Sequence, residues 1–309
     1  MSLAEYTLQS QKGIAKSFDN GAKISLSKFI KLPIFNVQGD DEWAGLFTST
    51  EGFTGMRESG EHETPEVNTL GDGYSITITK KRFTNAYEIT SSDIERAKDS
   101  TTMVDKFLTR KRDHALQDAK RFFTKGLLDF FNYGDVTTKY AAPDTKALYA
   151  TDHEWKSGAT FSNKDAQTFS SAAVQLAMQA GGLIADSVGE LMDVNYDTVV
   201  VYKNTTTANT AKQLFASGIS PTTVGDVNVY QGSMTIIELP LYVVENAGDW
   251  FLFDTSMRDE NPLYAGIGQF PHFTAPKVQN NEAIRQNIEG FWKQGIVNMP
   301  YMTYGNFPA

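Results

Sequence analysis

The stretch FTNAYEITSSDIERA, Phe83–Ala97, joins two different hydrophobic periods. Its first half carries apolar residues at Phe83, Tyr87 and Ile89, the odd positions of a strand with a period of two. Its second half offers N-caps at Ser91 and Ser92, with Asp93 and Glu95 in the first turn, and a second start follows at Ser100 and Thr101. Beyond it Val104, Phe107, Leu108, Ala115, Leu116, Ala119, Phe122, Phe123, Leu127 and Phe130 recur at three- and four-residue spacing. That spacing predicts one long helix with a single apolar stripe of about 30 residues.

Upstream, Tyr74, Ile76 and Ile78 alternate with Ser75, Thr77 and Thr79, so the apolar face lies on even positions before Lys80, Lys81 and Arg82 and on odd positions after them. A shift of one residue exchanges the buried face, so the strand is expected to leave one environment and enter another near Lys81. The segment feeding it, Glu51–Asp72, sets Glu51, Glu58, Glu61, Glu63, Glu66 and Asp72 against the single Arg57, a balance of −5. It is too long for an ordinary connection and ends in the turn signal Gly71-Asp72-Gly73, which reads as a long hairpin. Before it, up to about Asp41, isolated apolar residues such as Ile14, Phe18, Ile24, Phe29 and Ile30 follow no sustained period and read as an arm. Up to Phe35, Lys12, Lys16, Lys23, Lys28 and Lys31 against Glu5 and Asp19 give that arm a balance of +3.

The outer face of the long helix is basic. Lys106, Arg110, Lys111, Arg112, Lys120, Arg121 and Lys125 face four acids, Asp105, Asp113, Asp118 and Asp129, a balance of +3. A solvated face is the plain reading of such a stripe. The sharper one is a seat for the acidic hairpin of a neighbouring copy.

Downstream, a loop through Pro143 to Ser162 leads to an α/β-like region. Ala166, Phe169, Ala173, Leu176 and Ala180 predict a helix stopped by Gly181-Gly182. TVVVY, Thr198–Tyr202, is a buried strand; Asn204 or Thr205 caps a helix carrying Ala208, Ala211, Leu214 and Phe215 that Gly218 ends. Further strands are expected at Met234–Leu239 and Trp250–Phe253, and Ile284, Ile288, Trp292, Ile296 and Met299 return the tail to sheet.

Composition excludes much chemistry. In 309 residues there is no cysteine, hence no disulfide, thiolate nucleophile or cysteine-ligated metal. Twenty-eight bases against 37 acids leave −9, which argues against a chain that holds nucleic acid tightly. No apolar run reaches the roughly 20 residues of a membrane span, and the N-terminus lacks the order of a signal peptide; a soluble cytoplasmic chain is expected. His62, His114, His153 and His272 lie too far apart for a short-spaced zinc pair and read as structural or surface histidines. There is no phosphate loop or nucleophile elbow, Gly266-Ile267-Gly268 lacks the third glycine of a dinucleotide fingerprint, and no cofactor is expected. Asp40-Asp41-Glu42 could supply paired carboxylates for acid/base work or a hard cation, but adjacent side chains diverge, and a solvated loop is the expectation. Asn204-Thr205-Thr206 matches a glycosylation sequon without a secretory signal to give it meaning.

Arm, acidic hairpin, long amphipathic helix, glycine-terminated α/β region and return to sheet, in that order, resemble the phage coat fold of the Hong Kong ninety-seven type. Three stretches are similar to the Mu-like major head subunit family: Phe83–Ala97, KALYATDH at Lys146–His153 and WFLFD at Trp250–Asp254, with Tyr149 where that family more often has Phe. The resemblance implies an α+β fold with an N-terminal arm over 1–48, an extended loop over 49–82, a peripheral domain with its spine helix over 83–160, an axial domain over 161–275, and a return to the peripheral sheet over 276–309. It implies a major capsid protein, not an enzyme, that assembles in a host bacterial cytoplasm into the icosahedral head of a virion.

Its implied partners are copies of itself in pentamers and hexamers, a portal, possible scaffold and decoration proteins, and double-stranded DNA enclosed without sequence-specific contacts. Arg57, Glu58, Glu61, Glu63 and Glu66 of the loop would lie over Arg110, Lys111 and Arg112 of an adjacent spine. Crosslinked members of the fold need a loop lysine, a neighbour's asparagine and a carboxylate; only Lys80 and Lys81, at the loop base, are candidates for the first, so no crosslink is expected. An encapsulin-type compartment and a soluble α+β enzyme are the alternatives.

Overall fold

The computed structural model describes residues 31–39, 42–50, 72–90, 92, 101–137, 139–218, 228, 230–243, 245–256, 258–274, 277–279 and 284–308. Along the chain these form β1 (Asn36–Gly39), β2 (Ala44–Thr50), β3 (Asp72–Thr79), β4 (Lys81–Ile89) and the long helix α1 (Thr101–Leu127), then α2 (Phe130–Tyr133). There follow β5 (His153–Glu154), β6 (Thr160–Phe161), β7 (Lys164–Asp165), α3 (Ser171–Gly182), β8 (Thr198–Tyr202), α4 (Thr206–Phe215), β9 (Thr235–Leu239) and β10 (Trp250–Phe253). The chain closes with β11 (Leu263–Phe273), β12 (Lys277–Val278), β13 (Ile284–Ile296) and β14 (Thr303–Asn306).

The flip of hydrophobic phase at Lys80 is a change of sheet. Among the described residues β3 pairs only with β2, while β4 pairs along its whole length with β13, from Lys81 against Trp292 to Ile89 against Ile284. Ile78 is buried on the even face of β3, and Phe83 and Tyr87 turn inward from the odd face of β4. β13 is also paired antiparallel with β11, whose far side takes the parallel β1. The three- and four-residue apolar spacing of α1 lays its C-terminal half on β4 and β13: Phe83 stacks on Trp292 at 3.4 Å between centroids, and Phe123 meets Trp292 at 4.1 Å. Gly290 permits this approach, because a Cβ there would stand 2.6 Å from Phe123.

The second sheet has the order β7-β14-β10-β8-β9 and is covered on both faces. Its period of two divides TVVVY and WFLF between two cores. Val199, Val201, Trp250 and Leu252 face Ala173, Val174, Ala208, Ala211 and Leu214 of α3 and α4. Val200, Tyr202, Phe251 and Phe253 face Leu127, Phe130 and Phe131 at the end of the spine, together with Tyr149 and the N-terminal Ile34 and Phe35. That second core ties spine and sheet into one body.

Several expectations are corrected here. The arm reading to Asp41 ends early, because Ile34 and Phe35 are fully buried and β1 joins a sheet. α3 begins at Ser171 rather than near Ala166, because Lys164–Asp165 pairs with β14 as β7, Gln167 NH is held by Asn306 Oδ1, and Ser170 is the N-cap. Its C-cap is Leu183, with both glycines inside the helix, and α4 ends at Phe215 with Ala216 as its C-cap, before Gly218. The expected segments are not coextensive with the sheets. β11 of the 161–275 segment pairs with β13, and β14 of the 276–309 segment pairs with β10.

Candidate inter-subunit surface

The expected loop residues Arg57, Glu58, Glu61, Glu63 and Glu66 lie outside the described residues, as do His62 and the acidic pair Asp40 and Asp41. Arg110, Lys111 and Arg112 fall within α1, where Arg110 is exposed. It heads a solvent-facing stripe of His114, Gln117, Arg121 and Lys125, whose spacing of four, three, four and four is one face of a helix. Asp118 flanks that stripe, so its described charge is basic.

Beside the stripe a cleft of about 310 Å³ opens between α1 and strands β4 and β13, floored by Phe83, Phe123 and Ile288 and rimmed by Asn85, Asp118 and Glu289. Phe122, which sequence spacing assigned to the buried stripe, is 52% exposed at its mouth. The base of the hairpin is anchored by its inward side chains: Phe47 meets Tyr264 at 4.6 Å, and Ile78 lies so close to Gly295 that a Cβ there would be 2.5 Å away. Its outward side chains, Trp43 and Leu46, are 61% and 71% exposed. Lys80, the expected loop-base lysine, is buried, whereas Lys81 is exposed.

The buried titratable groups are structural. His153 Nδ1 donates to Asp144 Oδ2 at 2.7 Å, and Nε2 lies 3.2 Å from the Leu148 carbonyl, in a pair with no solvent exposure at the histidine. Burial pushes the Asp144 carboxyl up, but the hydrogen bond and charge of His153 and the NH groups of Lys146 and Glu154 outweigh it and hold the carboxyl below its usual value. Asn163 clamps the same loop, donating to the carbonyls of Leu148 and Pro300 at 2.9 Å each. Asp249 is the opposite case: burial first, then the charge of Asp135, raises it to about 7, and its Oδ1 has no hydrogen-bond partner. Desolvation likewise raises Tyr149, which is fully buried beside Thr303. His114 is exposed on α1 and His272 is half-buried with Nδ1 3.3 Å from the Phe270 carbonyl.

Among the described residues no group of three or more His, Cys, Asp or Glu side chains is placed to hold a metal, and no helix is long and apolar enough to cross a membrane. The sequence reading missed the Asp144–His153 clamp, for which the only signal was a histidine nine residues after an aspartate. Trp43, just before β2, and Leu46, which alternates with Phe47 over too short a run to assign, carried no signal for their outward placement.

A spine helix on one sheet, a two-stranded hairpin packed at its base on that sheet and a second sheet covered by two helices make up the α+β coat fold of the Hong Kong ninety-seven type. A chain of Microbacterium phage Oxtober96 matches with TM-score 0.52 and 9% identity, covering 90% of each chain. The asymmetric unit of the bacteriophage PhiM1 mature capsid matches with TM-score 0.53 and 10% identity, covering 89% of this chain and 85% of that one. A chain of Mycobacterium phage Adephagia matches with TM-score 0.50 and 10% identity over 91% and 90%. No protein-family model and no curated protein matches the sequence. At such identity the shared property is the fold.

Proposed function

We propose that this chain is the major capsid protein of a tailed bacteriophage, a shell subunit that closes many copies of itself around double-stranded DNA. The observation that carries the reading is the shared fold over about nine-tenths of the chain with a mature capsid. The surface supports it: Trp43, Leu46 and Phe122 leave apolar area outside the core, the property of a chain completed by neighbours. Pentamers and hexamers are the copies' arrangement, and portal, scaffold and decoration proteins are the accessory partners. The virion is the final location, reached after assembly in the host cytoplasm. The three motif stretches support a finer likeness to Mu-like head subunits; in this structure they are β4 and its sequel, the Asp144–His153 loop and β10. The role is structural, with no catalysis, and the net charge of −9 suits a container that releases its DNA.

Nuclease treatment of purified particles tests the reading. Protected double-stranded DNA supports a phage head; uniform shells without nucleic acid point to a protein compartment, and a soluble enzyme of this fold gives neither. Within the shell, Arg57, Glu58, Glu61, Glu63 and Glu66 of one subunit lie over Arg110, Lys111 and Arg112 of the next. Exposed pairs of this kind contribute about 0–1 kcal/mol each and act mainly on register. Reversing Arg110 and Arg112 to glutamate lowers shell yield and alters its salt dependence in sedimentation; unchanged yield and salt response reject the pairing.

A further inference from the structure

The second sheet carries two exposed apolar patches on opposite edges. The first lies on α3 and the turn after it: Leu176 is 54% exposed, Leu183 73%, Val188 47% and Leu191 63%. This turn sits over the β14 side of the sheet, since Trp155 Nε1 donates to the Ala185 carbonyl while its ring meets Tyr301, and Tyr196 packs on Tyr304 of β14. The second patch follows the far edge strand β9: Leu241 is 46% exposed and Tyr242 50%. α4 covers the β8 and β9 half, so the patches are separated by the width of the sheet and cannot meet within one chain. From β14 to β9 is three strand spacings, about 14 Å.

Their charges are complementary. Exposed Glu190 stands between Val188 and Leu191 in the first patch. Exposed Lys203 stands beside the second, with its NH bonded to the Leu239 carbonyl at the end of β9. Two unlike patches on opposite edges make a head-to-tail contact, which closes into a ring when the rotation is right. Each patch, with two to four apolar side chains, is smaller than the roughly 800 Å² per partner of a standard interface, so a single joint makes a weak pair that forms at high protein concentration, and a ring, in which every subunit makes two, is the more stable species.

We infer that the Leu176, Leu183, Val188 and Leu191 patch of one copy seats against Leu241 and Tyr242 of the next, with Glu190 facing Lys203, and that this joint closes the ring of subunits. The inference rests on the shell reading and names the faces that meet in it. A pairing of like patch with like patch gives dimers and leaves the β9 edge free, so the two arrangements differ in what they allow to mix.

The experiment compares two double variants of the full chain, Leu183→Asp with Leu191→Asp and Leu241→Asp with Tyr242→Asp. All four side chains are exposed, so circular dichroism and the melting temperature should match the parent, and serine versions replace any variant that melts early. In sedimentation velocity at high protein concentration, where a single joint is populated, each variant alone should run as a monomer, and their equimolar mixture should form a species of twice the monomer mass, because each supplies the face the other lacks. Glu190→Lys should lower assembly several-fold, and Lys203→Glu added to it should restore it. Either double variant assembling alone, or a mixture that stays monomeric, overturns the joint while leaving the shell reading intact. A parent chain that never assembles overturns both.

Discussion

The two sheets differ in how much of their own packing they complete. The β7-β14-β10-β8-β9 sheet has a core on each face, and all five residues of TVVVY and all four of WFLF are buried. The sheet containing β4 is packed by the spine on one side of that strand, and at β4 the exposed residues include Arg82, Ala86 and Glu88. The helix covering it leaves Phe122 half in water, and the hairpin beside it turns Trp43 and Leu46 outward. One region is stabilised by its own chain; the other keeps exposed surface that, on the shell reading proposed above, neighbouring copies would cover. Mutations in the first should act on the folding of the monomer, and mutations in the second on assembly.

The largest effect belongs to the two-faced sheet. Trp250 is fully buried, packs edge-on against Phe169 at 5.0 Å and donates its indole NH to the Gln167 carbonyl. Trp250→Ala should cost about 3–5 kcal/mol, read as a fall in the denaturant midpoint. A cost below about 1 kcal/mol would erase the distinction between the regions.

Next is Asp249 at the start of β10. Its folded carboxyl is raised to about 7 from 3.8, so the folded state holds this proton more tightly than the unfolded chain does. The penalty is absent at low pH, grows as pH rises from about 4 to 7, and is constant above that. Asp249→Asn should therefore stabilise the chain by up to about 4 kcal/mol at pH 8 and hardly at all at pH 4, as melting curves across that range would record. Asp144 has the opposite sign: its lowered carboxyl adds stability that is present above its unfolded value of 3.8 and lost as pH falls through the folded one.

Smaller effects sharpen the contrast. Thr205 caps α4 by accepting the Ala208 NH at 3.1 Å, so Thr205→Ala should cost about 1 kcal/mol in thermal unfolding. Trp43→Ser should change monomer stability by no more than about 0.5 kcal/mol while reducing shell yield in sedimentation. A large monomer effect at Trp43 would place the hairpin base inside the chain's own core.

The same contrast explains which parts of the fold are legible in sequence. TVVVY, the α4 cap at Thr205 and the change of sheet at Lys80 depend on neighbours in sequence, and periodicity reports them. Pairings between distant segments leave no period. β4 against β13 joins residues about two hundred positions apart, Ile34 and Phe35 enter the core from an otherwise irregular stretch, and β7 pairs with the last strand of the chain. For the candidate surface, Arg110 lies within α1 and is exposed, while the loop residues set against it lie outside the described residues. The apolar patches at Leu183, Leu191 and Leu241 were invisible because an outward leucine reads in sequence like an inward one.

The role proposed for this chain is to build a closed shell from its own copies. Negative-stain electron microscopy of the purified full chain, with sedimentation velocity on the same sample, tests it most directly. The account predicts uniform hollow particles and a fast-sedimenting boundary that fills as concentration rises. A single slow monomer boundary at every concentration, with no particles on the grid, would contradict it.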